Sequence, residues 1–135
     1  MEIVGIPPKD FHAVAGLLSW HFESFVERSY GEESMDHLMS EILEAKRQCW
    51  LAWDGEVKAV GLTQVVNNAI KIVEFTHCAG EGREDWNEMM VNEIRDWAKY
   101  IGADRVRIIN RPGHTKMLKA MGFKETHRIL EQDIE

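Results

Sequence analysis

Cysteine is scarce in this chain: Cys49 and Cys78 are the two present, and neither belongs to a Cys-x-x-Cys pair or a Cys/His ligand spacing. That leaves no disulfide framework and no thiolate metal site, and because each lies in an apolar strand-like run, reduced and buried thiols are expected. Positive charge is also short, with 16 Lys and Arg against 23 Asp and Glu and a net charge of −7. Non-specific nucleic-acid binding runs on phosphate neutralisation by cations, so it is set aside, as is an anionic membrane surface. A basic substrate remains admissible. No apolar run approaches the roughly 20 residues of a membrane helix. The opening MEIVGIPPKD has neither the basic start nor the apolar stretch of a secretory signal. A cytoplasmic protein is expected. There is no internal repeat, low-complexity tract or linker.

What is present is the composition of an ordinary globule, 44% hydrophobic and 29% charged over 135 residues. A chain of this size fits a single domain, 1–135, and buries roughly two-thirds of the surface it exposes unfolded, so no metal or disulfide staple is required. Five Trp and seven Met supply a well-filled core.

Periodicity divides the chain. A short strand at 2–5 precedes Pro7-Pro8, and Asp10 is positioned to cap a helix. Phe11, Val14, Leu18, Phe22 and Phe25 then recur at helical spacing until Gly31, and Ser34 opens a second helix through Met35, Leu38 and Ile42. QCWLAW (48–53) and VKAVGLTQVV (57–66) flank Asp54-Gly55, a dipeptide suited to a tight hairpin, and IKIVEFTHCA (70–79) continues the meander. A helix over 84–101 ends at Gly102, DRVRII (104–109) forms a strand parallel to its predecessor, and a short helix stops at Gly122. FKETHRILEQDI alternates as a last strand. The order β-α-α-β-β-β-α-β-α-β implies an α/β (α+β) mixed sheet with helices on both faces.

Between two of these elements, FTHCAGEGREDW passes from strand through two glycines into a helix, which is how a chain offers unpartnered main-chain N–H groups to a phosphate. The helix nevertheless opens on Glu84 and Asp85, which repel phosphate while stabilising the helix terminus.

The ordered set CWLAWDGEVKAVGLTQVV, EIRDWAKYIGADRVRI and MLKAMGFKET resembles the GCN5-related N-acetyltransferase (GNAT) superfamily over nearly the whole chain. The resemblance implies a fourth strand splayed from the fifth, with acetyl-CoA as co-substrate lying in the opening. It also implies a pyrophosphate held by main-chain amides from an Arg/Gln-x-x-Gly-x-Gly/Ala turn. This chain departs from that turn: Gly82 stands where Arg or Gln is expected, Arg83 follows one residue late, and Asp85 and Asn87 take the positions of the two glycines. The cofactor contacts implied are the stretch Thr76, His77, Cys78, Gly80, Gly82 and Arg83, together with Asn110 and Arg111 after the fifth strand.

Acetylation of an amine needs a base, a donor to polarise the thioester carbonyl, and an acid for the leaving thiolate. Glu74, inside a strand and four residues before Cys78 as in histone-type members, is the candidate base; the bland alternative is a surface carboxylate or one paired with Lys. His77 is either a proton relay or a satisfied structural histidine. Cys78 has no His/Asp partners at triad spacing. Many members place a Tyr acid four residues before the Gly of Gly-Phe; here that residue is Leu118. Asn110-Arg111-Pro112-Gly113-His114 is similar to a loop in small GNAT-like proteins of tailed bacteriophages, which makes His114 the substitute acid, unless Pro-Gly simply starts the short helix.

Two functions follow as expectations. One is an acetyl-CoA-dependent N-acetyltransferase acting on a small or protein amine. The other is a catalytically degenerate interaction module, with a second copy or a phage-particle component as partner.

Overall fold

The computed structural model describes residues 1–109 and 115–134. Five strands, β1 (Glu2–Ile6), β2 (Gln48–Trp53), β3 (Val57–Asn67), β4 (Lys71–Gly80) and β5 (Arg105–Ile108), form one sheet in the order β1-β2-β3-β4-β5. The first four are antiparallel and β5 runs parallel to β4. Between β1 and β2 lie α1 (Phe11–Val14), α2 (Ser19–Glu27) and α3 (Met35–Leu43); α4 (Arg83–Tyr100) is the crossover from β4 to β5, and α5 (Thr115–Ala120) follows β5.

Strand alternation sorts the core into two layers. Cys49, Leu51, Val60 and Leu62 pack against Phe11, Leu18, Phe22, Phe25, Leu38 and Ile42 of α1–α3 and the turn between α1 and α2. Trp50, Ala52, Ala59, Val73 and Phe75 pack on the other face, against Trp86, Met90, Ile94 and Ala98 of α4 and Leu118 of α5. Gly61 permits this second packing: a Cβ there would sit 2.8 Å from Met90 Sδ and 3.1 Å from the Phe75 ring.

The hairpins match the sequence reading. Gly55 adopts φ +74, and Asp54 N–H closes the turn on Glu56 O at 3.0 Å. Ser34 Oγ accepts from His37 N–H at 3.2 Å and so caps α3.

The continuous helix expected after Asp10 is instead broken. Pro8–Asp10 and Ala15–Leu18 are 3₁₀ turns on either side of α1, and Asp10 makes no side-chain cap bond. Gly16 lies at the break, where a glycine costs a helix about 1 kcal/mol relative to alanine. The expected last strand is not formed either: residues 123–134 carry no regular secondary structure, and Leu130 and Ile134 are 94% and 90% exposed. Alternation alone does not make a strand, and among the described residues the segment forms no ladder with the outer edge of β5. The sheet therefore ends at β5.

Candidate active site

The parallel pairing of β4 with β5 covers four residue pairs, from Ile72 with Arg105 to Phe75 with Ile108. One more bond follows, from Ile109 N–H to Phe75 O at 3.1 Å. Beyond it β4 runs on to Gly80 paired with β3, with no strand on its other side among the described residues. The divergence coincides with a β-bulge: Thr63 faces Phe75 and Leu62 faces His77, so Thr76 is the extra residue. A bulge bends its strand and sharpens its twist, which turns the end of β4 away from β5. It also resets the alternation. Phe75 and Cys78 both point to the α4 layer, and Ala79 to the α1–α3 layer.

The opening is a cavity of ≈ 600 Å³ whose wall includes Thr76, His77, Ile108 and Met117. At its far end α4 begins on Gly82, held at φ +65, a left-handed conformation that favours glycine. Trp86 Nε1 donates to Glu81 O at 2.7 Å and pins this turn. The charges divide here. Arg83 and Asn87 line the cavity, whereas Glu81 and Asp85 line a separate cleft that also holds Asp54 and Glu56. Glu84 lines neither. The acidity of the helix start therefore faces away from the opening, and its one cation faces in.

Gly80 lines the cavity, but local packing already requires it: a Cβ there would collide with the Lys58 carbonyl and with Ala59 of β3. Cys78 lines the cavity with its thiol pushed up to about 12, chiefly by burial, so it is no thiolate nucleophile at neutral pH. Asn110, Arg111 and His114 lie outside the described residues. Leu118 is 6% exposed and belongs to the α4 layer of the core.

Two polar groups stand where β5 parts from β4. In the first, Gln64, Glu74 and Arg107 are directly opposite one another across the three strands. Gln64 Nε2 donates to Glu74 Oε1 at 2.8 Å and Arg107 Nη1 donates to Oε2 at 2.8 Å. Glu74 is 7% exposed, and its carboxylate is not part of the cavity wall. Its partner is an arginine, neither solvent nor lysine.

The second group gathers around His77. Its Nε2 lies 2.7 and 2.9 Å from the two oxygens of Glu33, and its Nδ1 lies 2.6 Å from Thr76 Oγ1. Arg47 Nη1 donates to Thr76 Oγ1 at 3.1 Å while its Nε donates to Glu41 at 3.0 Å. Phe25 packs edge-on against the imidazole at 5.2 Å. Burial is the main cause lowering the His77 pKa, partly opposed by Glu33 and assisted by Arg47, so the ring is neutral at neutral pH. Glu33, Arg47, Gln64 and Arg107 were not singled out from sequence. Strand periodicity locates Gln64 and Arg107 once the register is known, but nothing local marks Glu33, which is 44 residues from its partner.

Among the described residues no group of three or more His, Cys, Asp or Glu is arranged to hold a metal ion, and no helix is long and apolar enough to cross a membrane.

No family model and no curated protein matches the chain. Solved structures do. A protein described as a predicted acetyltransferase from Clostridium acetobutylicum, solved with acetyl-CoA, superposes with a TM-score of 0.71 at 14% identity, covering 98% of this chain and 95% of its own. An aminoglycoside acetyltransferase from an uncultured soil metagenomic sample, in complex with sisomicin, gives 0.70 at 11% identity over 99% and 96%. An aminoglycoside N-acetyltransferase in complex with CoA gives 0.69 at 14% identity over 99% of each chain. The likeness establishes a common fold, a mixed five-stranded sheet with helices on both faces, as in GNAT acetyltransferases.

Proposed function

We propose that the protein is an acetyl-CoA-dependent N-acetyltransferase acting on an amine. The observation that carries this reading is the parting of β4 from β5 after Phe75, which leaves a walled cavity beside unpaired main chain. Such a slot suits a long, flexible thioester carrier: alternate amides of Thr76–Gly82 lack strand partners on that side, and Arg83 adds a cation at the helix start. The carrier supplies the activated acetyl group. The chain binds it, orients it and manages the acceptor's proton. In this reading Glu74 acts beneath the site, tying three strands together at the point where two of them separate. Solved structures of like fold hold CoA, acetyl-CoA or an aminoglycoside, which supports an amine acceptor without naming it.

Calorimetric titration with CoA and acetyl-CoA tests the reading. Saturable heat and a rise in Tm are expected, because any ligand specific to the native state stabilises it. Absence of both at millimolar ligand overturns it.

One observation favours a second reading, a binding module without catalysis. Among the described residues β5 is bonded on one side only, and the apolar Leu130 and Ile134 of the segment after α5 are exposed. A lysine introduced on the β5 edge would then abolish partner association, while the Thr76 and His77 substitutions described next would leave biological activity intact.

A further inference from the structure

We infer that His77 is the general base of the acyl transfer, acting through the Thr76 hydroxyl, with Glu33 and Arg47 as the residues that position it. The inference rests on the transferase reading above and adds to it a proton path that three separate segments of the chain assemble.

Hydrogen-bond accounting fixes the direction of that path. Arg47 can only donate, so Thr76 Oγ1 accepts from it. Glu33 accepts from His77 Nε2–H, which assigns the tautomer and leaves a lone pair on Nδ1. The Thr76 hydroxyl proton therefore points to Nδ1 across 2.6 Å, in preference to the other acceptor within reach, the Leu62 carbonyl at 3.4 Å. A hydroxyl oxygen has two lone pairs, one of which is taken by Arg47; among the described residues no second donor reaches the other. Thr76 lines the cavity, so that lone pair is available to an N–H of a bound acceptor.

The bulge is what makes this possible. In a regular strand Thr76 and His77 would point to opposite faces. The extra residue lets both side chains reach the α1–α3 layer, where Glu33 comes from the segment before α3 and Arg47 from the residue before β2. Glu33 is itself held: its N–H donates to Ser29 Oγ at 3.1 Å, and that hydroxyl donates to Val26 O at 2.7 Å. The charged groups facing the imidazole are Glu33 and Glu32 from that segment and Arg47 from just before β2, with Glu41 of α3 behind Arg47. Burial keeps the ring neutral, ready to accept, and the Glu33 carboxylate stabilises the imidazolium once it forms.

The step balances as follows. The acceptor enters as R–NH3⁺ and gives one proton to Thr76 Oγ1 as the Thr76 proton passes to His77 Nδ1. The freed nitrogen lone pair forms a C–N bond at the acetyl carbonyl. The C–S bond breaks with its electron pair on sulfur, and a second nitrogen proton ends on that thiolate. The imidazolium returns its proton to water, giving the N-acetyl product, CoA thiol and H⁺.

The test uses all 135 residues, thiol release from acetyl-CoA with sisomicin and spermidine as amine probes, and CoA affinity measured in parallel. Thr76→Val and His77→Gln are expected to bind CoA within threefold of the unsubstituted protein and to lose on the order of 100-fold in kcat, the range of a general base. Glu33→Gln retains shape and is expected to shift the acidic limb of the pH profile downward, because it removes the charge that favours the imidazolium; a merely structural role for Glu33 would leave that limb in place. Near-normal kcat in both His77→Gln and Thr76→Val, with the loss in Glu74→Gln instead, overturns the inference and leaves the transferase reading standing. Failure of the unsubstituted protein to bind CoA removes both. If CoA binds but neither amine reacts, ¹⁵N NMR decides: Nδ1 bare, with an ionisation that Glu33→Gln lowers, supports the path, and a proton resident on Nδ1 at neutral pH overturns it.

Discussion

Arg107 and Glu74 are opposite one another on β5 and β4, and the guanidinium donates to the carboxylate at 2.8 Å. The carboxylate side chain is 9% exposed and the arginine 31%, so this pair is sheltered on one side only. Removing the arginine leaves a nearly buried carboxylate with Gln64 as its remaining bonded partner. Arg107→Met is therefore expected to destabilise the fold by about 1–3 kcal/mol in urea unfolding, the cost of stranding a buried polar group. The double substitution Arg107→Met with Glu74→Met should recover much of that loss, because neither charge is then stranded.

Opposed faces of the α4 terminus predict opposed effects on CoA. Arg83→Glu, which puts an anion on the cavity wall, is expected to weaken CoA binding at least tenfold, from about 1.4 kcal/mol or more of lost interaction. Asp85→Asn, on the far cleft, is expected to change the affinity less than threefold while costing helix stability of about 0.3–1 kcal/mol. Calorimetry at two salt concentrations and thermal unfolding check the pair.

Acid should loosen the protein before its carboxylates titrate. His21 and His77 both have pKa values lowered chiefly by burial, with Glu81 and Glu33 respectively opposing the shift. The unfolded chain, at about 6.5 per histidine, then binds protons before the folded one does. Stability is full above that value and falls as pH drops below it, by at most about 1.4 kcal/mol per pH unit for each ring. Urea midpoints measured from pH 7.5 to 5 report the slope. Replacing His21 with Phe should flatten it partway.

Two glycines predict different rescues. Gly61→Ala presses on Met90 Sδ and the Phe75 ring, so it is expected to cost about 1–3 kcal/mol and to be relieved in part by Met90→Ala. Gly80→Ala meets the main chain of Lys58, which no side-chain trimming can move, and a second-site rescue is not expected. Thermal melts of the single and double variants distinguish the cases.

Much of this architecture was legible in the amino-acid order. The Asp54-Gly55 turn, the alternation of Cys49 to Ala52 and the apolar face of Trp86, Met90 and Ile94 each carry a local signal that tertiary contacts reinforce. The site was legible only where it is local. His77 and Glu74 were visible as polar interruptions of a strand, but their partners come from distant segments: Glu33 lies 44 positions from His77, and Arg107 lies 33 from Glu74. The pairing depends on register, which no short stretch encodes. The last strand failed for the complementary reason. FKETHRIL has the right alternation, but a strand is stabilised by the ladder it makes with a neighbour, and sequence period reports nothing about whether the segment docks on the open edge of β5.

The extra residue in β4 has a consequence for how such a sheet could be remade. Excising Thr76 would leave a regular ladder, with His77 still opposite Leu62, Cys78 still toward α4 and Ala79 still toward α1–α3, while removing both the hydroxyl beside His77 and the local bend. The bend in β4 therefore hangs on one inserted residue: the upstream half is stitched to strands on both flanks, and the downstream half is tied to β3 alone.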